Sequence, residues 1–487
     1  MTRSTSSPGV NNRSQADRPI RVAVVGGGIA GVTAAWELRK RLGPEAHILI
    51  AEAYDRLGGK LKTVNFANGP VDMGAEAFMG LRQDFVDLVR EVGLGDHLRT
   101  PASDRPSGFF VDGKLVDIPR GTLMGIPATG ASVAEVVGPE AAARIDAERS
   151  GAPMTWEPGQ DVSVGQLVEA RLGRVVVDRM VTPLLGGVYS TAADDLGVRA
   201  TIPQLAEVLD ERGAGGAEFY LTDVVQQLLD QRAAKAAHTD AGARPPMFYG
   251  FESGYRRLID VLREQSGAEV LYNTGVESIG RNNDGWYLEP IGFVDAVILA
   301  APAPTTSVLL QDVAPVAAEA MRSIDLASSV VVGMRFASAY GIPERSGVLL
   351  GPDAPTEAKA FTFSSRKWPH LEQRGGAFVR ASFGTFRDPW YVEADDRALV
   401  AYALDDLEKI TGERKKPEEY FVQRWWGGIP RYGVGYMERI NEAFQDVRDI
   451  RGLALAGSML SGVGVPATAA TGRAAAAEIV EEMGWNN

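Results

Sequence analysis

The chain has 487 residues, with 50 Lys and Arg against 63 Asp and Glu, for a net charge of −13. That length allows two or three domains with large cores, and the acidic balance argues against nucleic acid or an anionic membrane surface as partner. Cysteine is absent, which excludes disulfides, a thiol nucleophile and a Cys-ligated metal. The histidines (His47, His97, His238 and His370) include no pair at metal-ligand spacing, so no metal is expected.

Residues 1–18 are polar and lack an apolar core segment, so they read as a disordered tail rather than a signal peptide or anchor. Residues 22–25 form an apolar run that meets Gly26, Gly27 and Gly28, and a helix-period segment continues to Leu42. A second apolar run over 47–50 leads to Glu52 and Ala53. Gly26, Gly28 and Gly31 have the spacing G-x-G-x-x-G. In a strand–turn–helix unit the first glycine makes the tight turn, the second admits a diphosphate and the third lets helix and strand pack closely. Gly27, Ile29 and Ala30 complete the loop, whose free N–H groups at the helix start favour an anion. Glu52 follows Gly31 by about 20 residues, the offset at which an acid accepts hydrogen bonds from a ribose diol. The pattern predicts a dinucleotide site.

Next come Arg56-Leu57-Gly58-Gly59-Lys60 and then GPVDMGAEAF at 69–78, containing Gly74, Ala75, Glu76 and Ala77. These segments resemble the flavin-dependent amine oxidase superfamily, in which an R-x-G-G-[RK] loop covers the FAD diphosphate. Two glycines let such a loop lie flat on the cofactor, while Arg56 and Lys60 offset phosphate charge. The resemblance implies FAD, and without cysteine the thioether-linked flavin of some amine oxidases is excluded, leaving it non-covalent.

Further on, 84–92 reads as a helix ending at Gly93, and 109–111 with 115–118 as a hairpin turning at Asp112-Gly113. Residues 123–240 read as mostly helical, broken at 158–161 and 213–217, an inserted helical module. A turn leading into an amphipathic helix is expected over 248–264, followed by strands at 269–271, 276–279, 286–288 and 296–300. The resemblance places the backbone of Val276 along the adenine. Strands at 329–336, 361–364 and 377–383 with a helix at 394–411 suggest a mixed sheet carrying a helix. A strand at 452–456, a loop to Pro466 and an Ala-rich helix over 468–483 close the chain. The uncharged window 452–472 holds too many glycines and hydroxyl residues for a membrane span.

The expected fold is α/β: a Rossmann-like FAD-binding domain built from separated segments, with a mixed-sheet substrate domain and an inserted helical module. No internal repeat is evident. The segments are a tail at 1–18, FAD-binding parts at 19–84, 247–304 and 447–487, the helical module with part of the substrate domain at 85–246, and the substrate domain at 305–446. The resemblance sets Val463, Gly464 and Val465 against the flavin pyrimidine ring and makes Gly457, the first glycine of that loop, a further cofactor contact. The helix start there would favour negative charge at that edge by about 1 kcal/mol, up to ~2. Relatives often carry an acid where Ser458 stands.

Segments 182–205, 363–370, 424–436 and 461–476 narrow the resemblance to the protoporphyrinogen/coproporphyrinogen oxidase family, over nearly the whole chain after Arg18. The activity that this resemblance implies is six-electron oxidation of a porphyrinogen by O2 with H2O2 release, in haem synthesis. It also implies that the flavin N5 accepts hydride, so no side chain is assigned as catalytic, and that Trp425 lies near the flavin. The substrate's carboxylates would require cations, for which Arg82, Arg120, Arg199, Arg366, Lys367 and Arg431 are the candidates. The lack of an anchor favours a cytoplasmic enzyme acting on coproporphyrinogen III, with at most peripheral membrane contact and a transient contact with a downstream haem-pathway enzyme. Protoporphyrinogen IX and an amine stay open as substrates. A carotenoid-type desaturase would need a greasy groove that the sequence lacks. A cofactor-free binding module like the Rab escort proteins is disfavoured by the intact glycine loops.

Overall fold

The computed structural model describes residues 18–216, 218–237, 245–282 and 285–485. The expected tail, apart from Arg18, and His238 lie outside them. A five-stranded sheet runs in the order Glu269–Leu271, His47–Ala51, Arg21–Val25, Ala296–Leu299, Leu453–Leu455. Every pairing in it is parallel. The separated segments expected from the sequence therefore meet in one sheet. Its strands are continuous apolar runs because both faces are covered.

Helices Ile29–Leu42 and Val465–Glu482 pack together on one face. Gly472 makes that possible, since a Cβ there would lie 2.0 Å from the Ala30 carbonyl oxygen. Pro466 falls inside the first turn of the closing helix, which starts earlier than the sequence suggests. The loop before it contains a short helix, Ser458–Ser461.

A seven-stranded sheet follows the order Glu419–Pro430, Leu326–Phe336, Ala377–Phe383, Ala360–Thr362, Gly347–Leu350, Ser107–Val111, Lys114–Asp117. The predicted hairpin supplies its edge, turning through Asp112 and Gly113 at φ 49° and 76°. It joins the rest through a parallel pairing with Gly347–Leu350. Val330, Val332, Met334, Val379, Ala381 and Phe383 face one way and pack on helix Asp396–Thr411. Asp395 caps that helix through the Ala398 N–H at 2.9 Å, and Gly412 ends it in the left-handed region. On the opposite face Val331 and Phe378 pack with Phe66, Val71, Met73 and Trp368, while Leu349 packs against the core that includes the helical unit.

The helical unit includes Val164–Leu172, Thr182–Tyr189, Pro203–Ala214 and Leu221–Ala237. Buried Glu148 accepts from the Leu221 and Thr222 N–H groups at 3.0 and 2.9 Å and pairs with Arg171 at 2.7 Å. It thus satisfies the opening of the last of these helices from a distance.

Two expectations need correction. Phe248–Phe251 is a strand rather than a turn, held between Phe78–Met79 and Leu98–Arg99. Four residues are too few for periodicity to decide. The strand expected at 276–279 begins at Ser278, leaving Val276 in the connection before it. Helix Tyr436–Arg448, whose buried positions are Tyr436, Ile440, Ala443 and Val447, has no counterpart in the sequence reading. Its helical spacing follows a Gly-rich aromatic stretch that hides it. Among the described residues no helix is long and apolar enough to cross a membrane, and no group of acids and histidines could hold a metal ion.

Candidate active site

The strand Arg21–Val25 ends in the glycine loop, where each glycine meets a different constraint. Gly26 has φ +107°, and a Cβ on it would lie 2.7 Å from the Ala300 oxygen. A Cβ on Gly31 would lie 1.9 Å from the Gly26 oxygen. Gly28 differs: it caps the first helix in extended conformation, and a Cβ there meets nothing within 4 Å. Its glycine character is required neither by the backbone nor by packing, which fits a site where a ligand approaches the main chain. Ile29 and Ala30 bury their side chains in the core, so they offer backbone only.

Buried Glu52 accepts from the Gly27 N–H at 2.8 Å and from the Tyr54 N–H at 2.9 Å. Its carboxylate therefore ties the glycine loop to the end of the second strand. The Arg56–Lys60 loop lies directly on this assembly. The Gly58 N–H donates to the Gly27 oxygen at 2.8 Å, and a Cβ on Gly59 would lie 3.2 Å from Gly28 Cα. Its two cations have different situations. Arg56 donates to the carbonyls of Leu57, Leu61 and Gly59 at 3.2, 3.1 and 2.6 Å and so sets the loop's shape. Lys60 is open to solvent yet deep among protein atoms, the situation of a side chain facing a cleft. Loss of water lowers its ammonium pKa to about 8.

Gly74 packs on the same loop, where a Cβ would lie 2.3 Å from the Lys60 oxygen and 3.1 Å from the Trp425 ring. Trp425 Nε1 donates to the Met73 oxygen at 3.0 Å, and Arg380 donates to the Gly74 oxygen at 2.9 Å. Glu76 pairs with Lys367 at 2.6 Å and with Arg380 at 2.8 Å. Burial would raise its pKa, but the two cations outweigh that and bring it down to about 2. Ala75 is exposed and Ala77 half-buried.

On the other side, the Thr274 N–H donates to the Glu52 oxygen at 2.9 Å and Gly275 abuts Ala53. Val276 follows in the same connection, which the Glu52 main-chain carbonyl holds at the end of the second strand. In the closing loop the Gly457 N–H donates to Thr471 Oγ1 at 2.9 Å and Gly464 caps the last helix. Half-buried Val463 packs against the main core. Val465 and Ala469 share a core with Ile29 and Val32, so two helix starts open near one another. Tyr432 braces this loop, its hydroxyl donating to the Ser458 oxygen at 2.5 Å and accepting from the Gly462 N–H at 2.8 Å. Tyr436 donates to the Met459 oxygen at 2.6 Å, and the Tyr189 ring lies 5.7 Å from that of Tyr432. These tyrosines were not among the sequence candidates. Their signal was present in GGVYS and RYGVGY, segments that carried the family resemblance without marking single residues.

Most of the candidate cations are engaged by the protein's own carboxylates. Arg82 is bidentate on Asp84 at 2.9 and 2.7 Å. Arg199 pairs with Asp210 at 2.6 Å inside the helical unit, Arg366 with Glu344 at 2.7 Å and Glu372 at 3.3 Å, and Arg431 with Asp325. Lys367 is held by Glu76, so a cofactor candidate and a substrate candidate pair with each other. Arg120 stands exposed beyond the hairpin, without an ion pair among the described residues.

Open space at the Gly28 Cβ position, N–H groups at two helix starts and a lysine on the covering loop fit a dinucleotide at the C-terminal edge of a parallel sheet. With the mixed sheet beside it, this arrangement defines an FAD-dependent oxidoreductase. The family model for flavin containing amine oxidoreductases matches residues 29–480, and the chain belongs to that family.

A coproporphyrinogen III oxidase of Mycobacterium bovis is 38% identical over 470 residues, covering 96% of this chain and 98% of that one. The coproporphyrinogen III oxidase of Staphylococcus aureus is 27% identical, covering 95% and 99%. A crystal structure from Exiguobacterium sp. 255-15, provisionally named protoporphyrinogen oxidase, aligns with TM-score 0.81 at 27% identity, covering 95% and 99%.

Proposed function

We propose that this chain oxidises coproporphyrinogen III to coproporphyrin III in haem synthesis, using O2 and releasing H2O2. The observation that carries this is end-to-end similarity to relatives named coproporphyrinogen III oxidase, joined to a glycine cradle of the kind that holds a dinucleotide. Bound FAD would supply the two-electron acceptor. Backbone N–H groups from Gly28 onward would hold its diphosphate, Glu52 would fix the loop geometry and offer its remaining lone pairs to the ribose, and Lys60 would offset phosphate charge. Val463 to Val465 would lie at the flavin's pyrimidine edge, braced by Tyr432.

Hydride loss from a porphyrinogen methylene leaves a cation spread over two pyrroles, which is acidic enough to shed a proton without a strong side-chain base. Each round thus removes one hydride and one proton, the two electrons and two protons that convert one O2 to H2O2. The protein's part is to bind and orient the macrocycle and to exclude water. Three such rounds remove six electrons. We place the reaction in the cytoplasm, with product passing to a later haem-pathway enzyme. The test is fluorimetric assay of the purified holoenzyme with coproporphyrinogen III and protoporphyrinogen IX side by side, with H2O2 measured in parallel. Faster turnover of the first supports the proposal. Flavin reduction by amines with neither porphyrinogen oxidised would overturn it.

A further inference from the structure

Lys359 differs from the other cations around the site. It directly precedes strand Ala360–Thr362, and its Nζ donates to Ser190 Oγ at 2.7 Å and to the Gly384 carbonyl oxygen at 2.6 Å. Both partners are neutral. Among the described residues no carboxylate lies within ion-pairing distance of it, whereas the comparably enclosed Lys367 and Arg380 both hold Glu76. An ammonium has three donors, and two are used. The side chain is largely enclosed yet still partly reached by solvent, and burial lowers its pKa to about 7.

The contacts of Lys359 place it relative to the candidate site. Ser190 ends helix Thr182–Tyr189 in left-handed conformation at φ 49°. The same helix lays Gly187 on Leu349, whose register partner across the sheet is Ala360, next to Lys359. Val188 on that helix is 45% exposed. Tyr189 leads to Tyr432 and from there to the closing glycine loop. Lys359 therefore stands at one end of a continuous set of contacts whose other end is the loop assigned to the flavin. Gly187 and Val188 leave an exposed apolar turn of helix just before Ser190, and the lysine adds one positive charge that no carboxylate among the described residues balances.

A flat apolar ring with peripheral carboxylates matches that apolar turn and charge. We infer that Lys359 anchors a propionate of the porphyrinogen and thereby favours the substrate with more carboxylates, an assignment that rests on the proposed porphyrinogen oxidation. A buried cation without a counter-charge is costly to keep, and a substrate carboxylate would relieve that cost while taking up the third donor.

The test uses the holoenzymes of Lys359→Gln, Lys359→Met and Lys359→Arg. Gln and Met should raise KM for coproporphyrinogen III about tenfold or more, with kcat within about threefold and flavin content unchanged, and Arg should restore most of the loss. In equilibrium titrations wild type should bind coproporphyrin III more tightly than its tetramethyl ester, and the Gln variant should lose that preference. Unchanged KM and an unchanged acid-to-ester ratio in a yellow, folded Gln or Met variant would overturn the inference alone. A wild type inactive on both porphyrinogens would overturn it together with the proposed function.

Discussion

Gly28→Val should leave the polypeptide folded and strip it of FAD. Gly28 has φ −70° and ψ −179°, extended backbone that any residue adopts, and no protein atom lies within 4 Å of an added Cβ. Replacing it removes freedom from the unfolded chain, an effect of about 0.4–1 kcal/mol in favour of folding for comparable changes. The branched side chain would instead occupy the approach to the helix start. A loss of about 100-fold or more in FAD affinity corresponds to ~2.7 kcal/mol. Gly31→Ala is the contrasting control, because its Cβ would fall 1.9 Å from the Gly26 oxygen and force the turn to move. Overpacking of that kind costs about 1–3 kcal/mol whether or not cofactor is present. The assay is the flavin-to-protein absorbance ratio after purification, FAD titration of stripped protein, and thermal melts of the flavin-free forms. A Gly28→Val protein as yellow as wild type would refute the reasoning. So would a flavin-free variant melting well below flavin-free wild type.

Glu52→Gln turns an amide NH2 toward either the Gly27 or the Tyr54 N–H. The opposed buried donors should cost about 1–3 kcal/mol and weaken FAD binding; melting and titration at wild-type values would contradict the tie to the glycine loop. Glu76→Gln leaves Lys367 and Arg380 without their shared carboxylate, and loss of one partner from such a buried pair costs about 3–5 kcal/mol. Chemical denaturation should show it, and an unchanged midpoint would not be compatible with the pairing described.

Asp72 gives a pH signature. Burial, only partly offset by hydrogen bonds from Thr63 and the Tyr255 N–H, pushes its pKa up from 3.8 to about 7. A carboxyl that holds its proton more tightly when folded favours folding fully below pH 3.8, and that contribution is lost as pH rises toward 7. Asp72→Asn removes the ionisation, so its stability relative to wild type should improve by a few kcal/mol between about pH 4 and pH 8. An equal difference at both pH values would exclude the assignment.

The sequence by itself determined the cradle, because its determinants are local. An apolar run, glycines that must turn or let backbones touch, and an acid at fixed offset specify the strand, the helix start and the loop from Arg21 to Glu52 without reference to distant residues. The hairpin predicted at 109–118 and the strand and helix predicted at 377–383 and 394–411 were legible for the same reason. Tertiary structure alone decided that the hairpin would join the mixed sheet beside Gly347–Leu350, and that Phe248–Phe251 would become a strand between two short partners. It also decided which cations are balanced. Lys367 and Glu76 are 291 residues apart and 2.6 Å apart in space, Arg431 finds Asp325, and Lys359 finds only a hydroxyl and a carbonyl. Coulomb and desolvation energies depend on separations of a few ångströms and on local burial. The spacing of residues along the chain encodes neither.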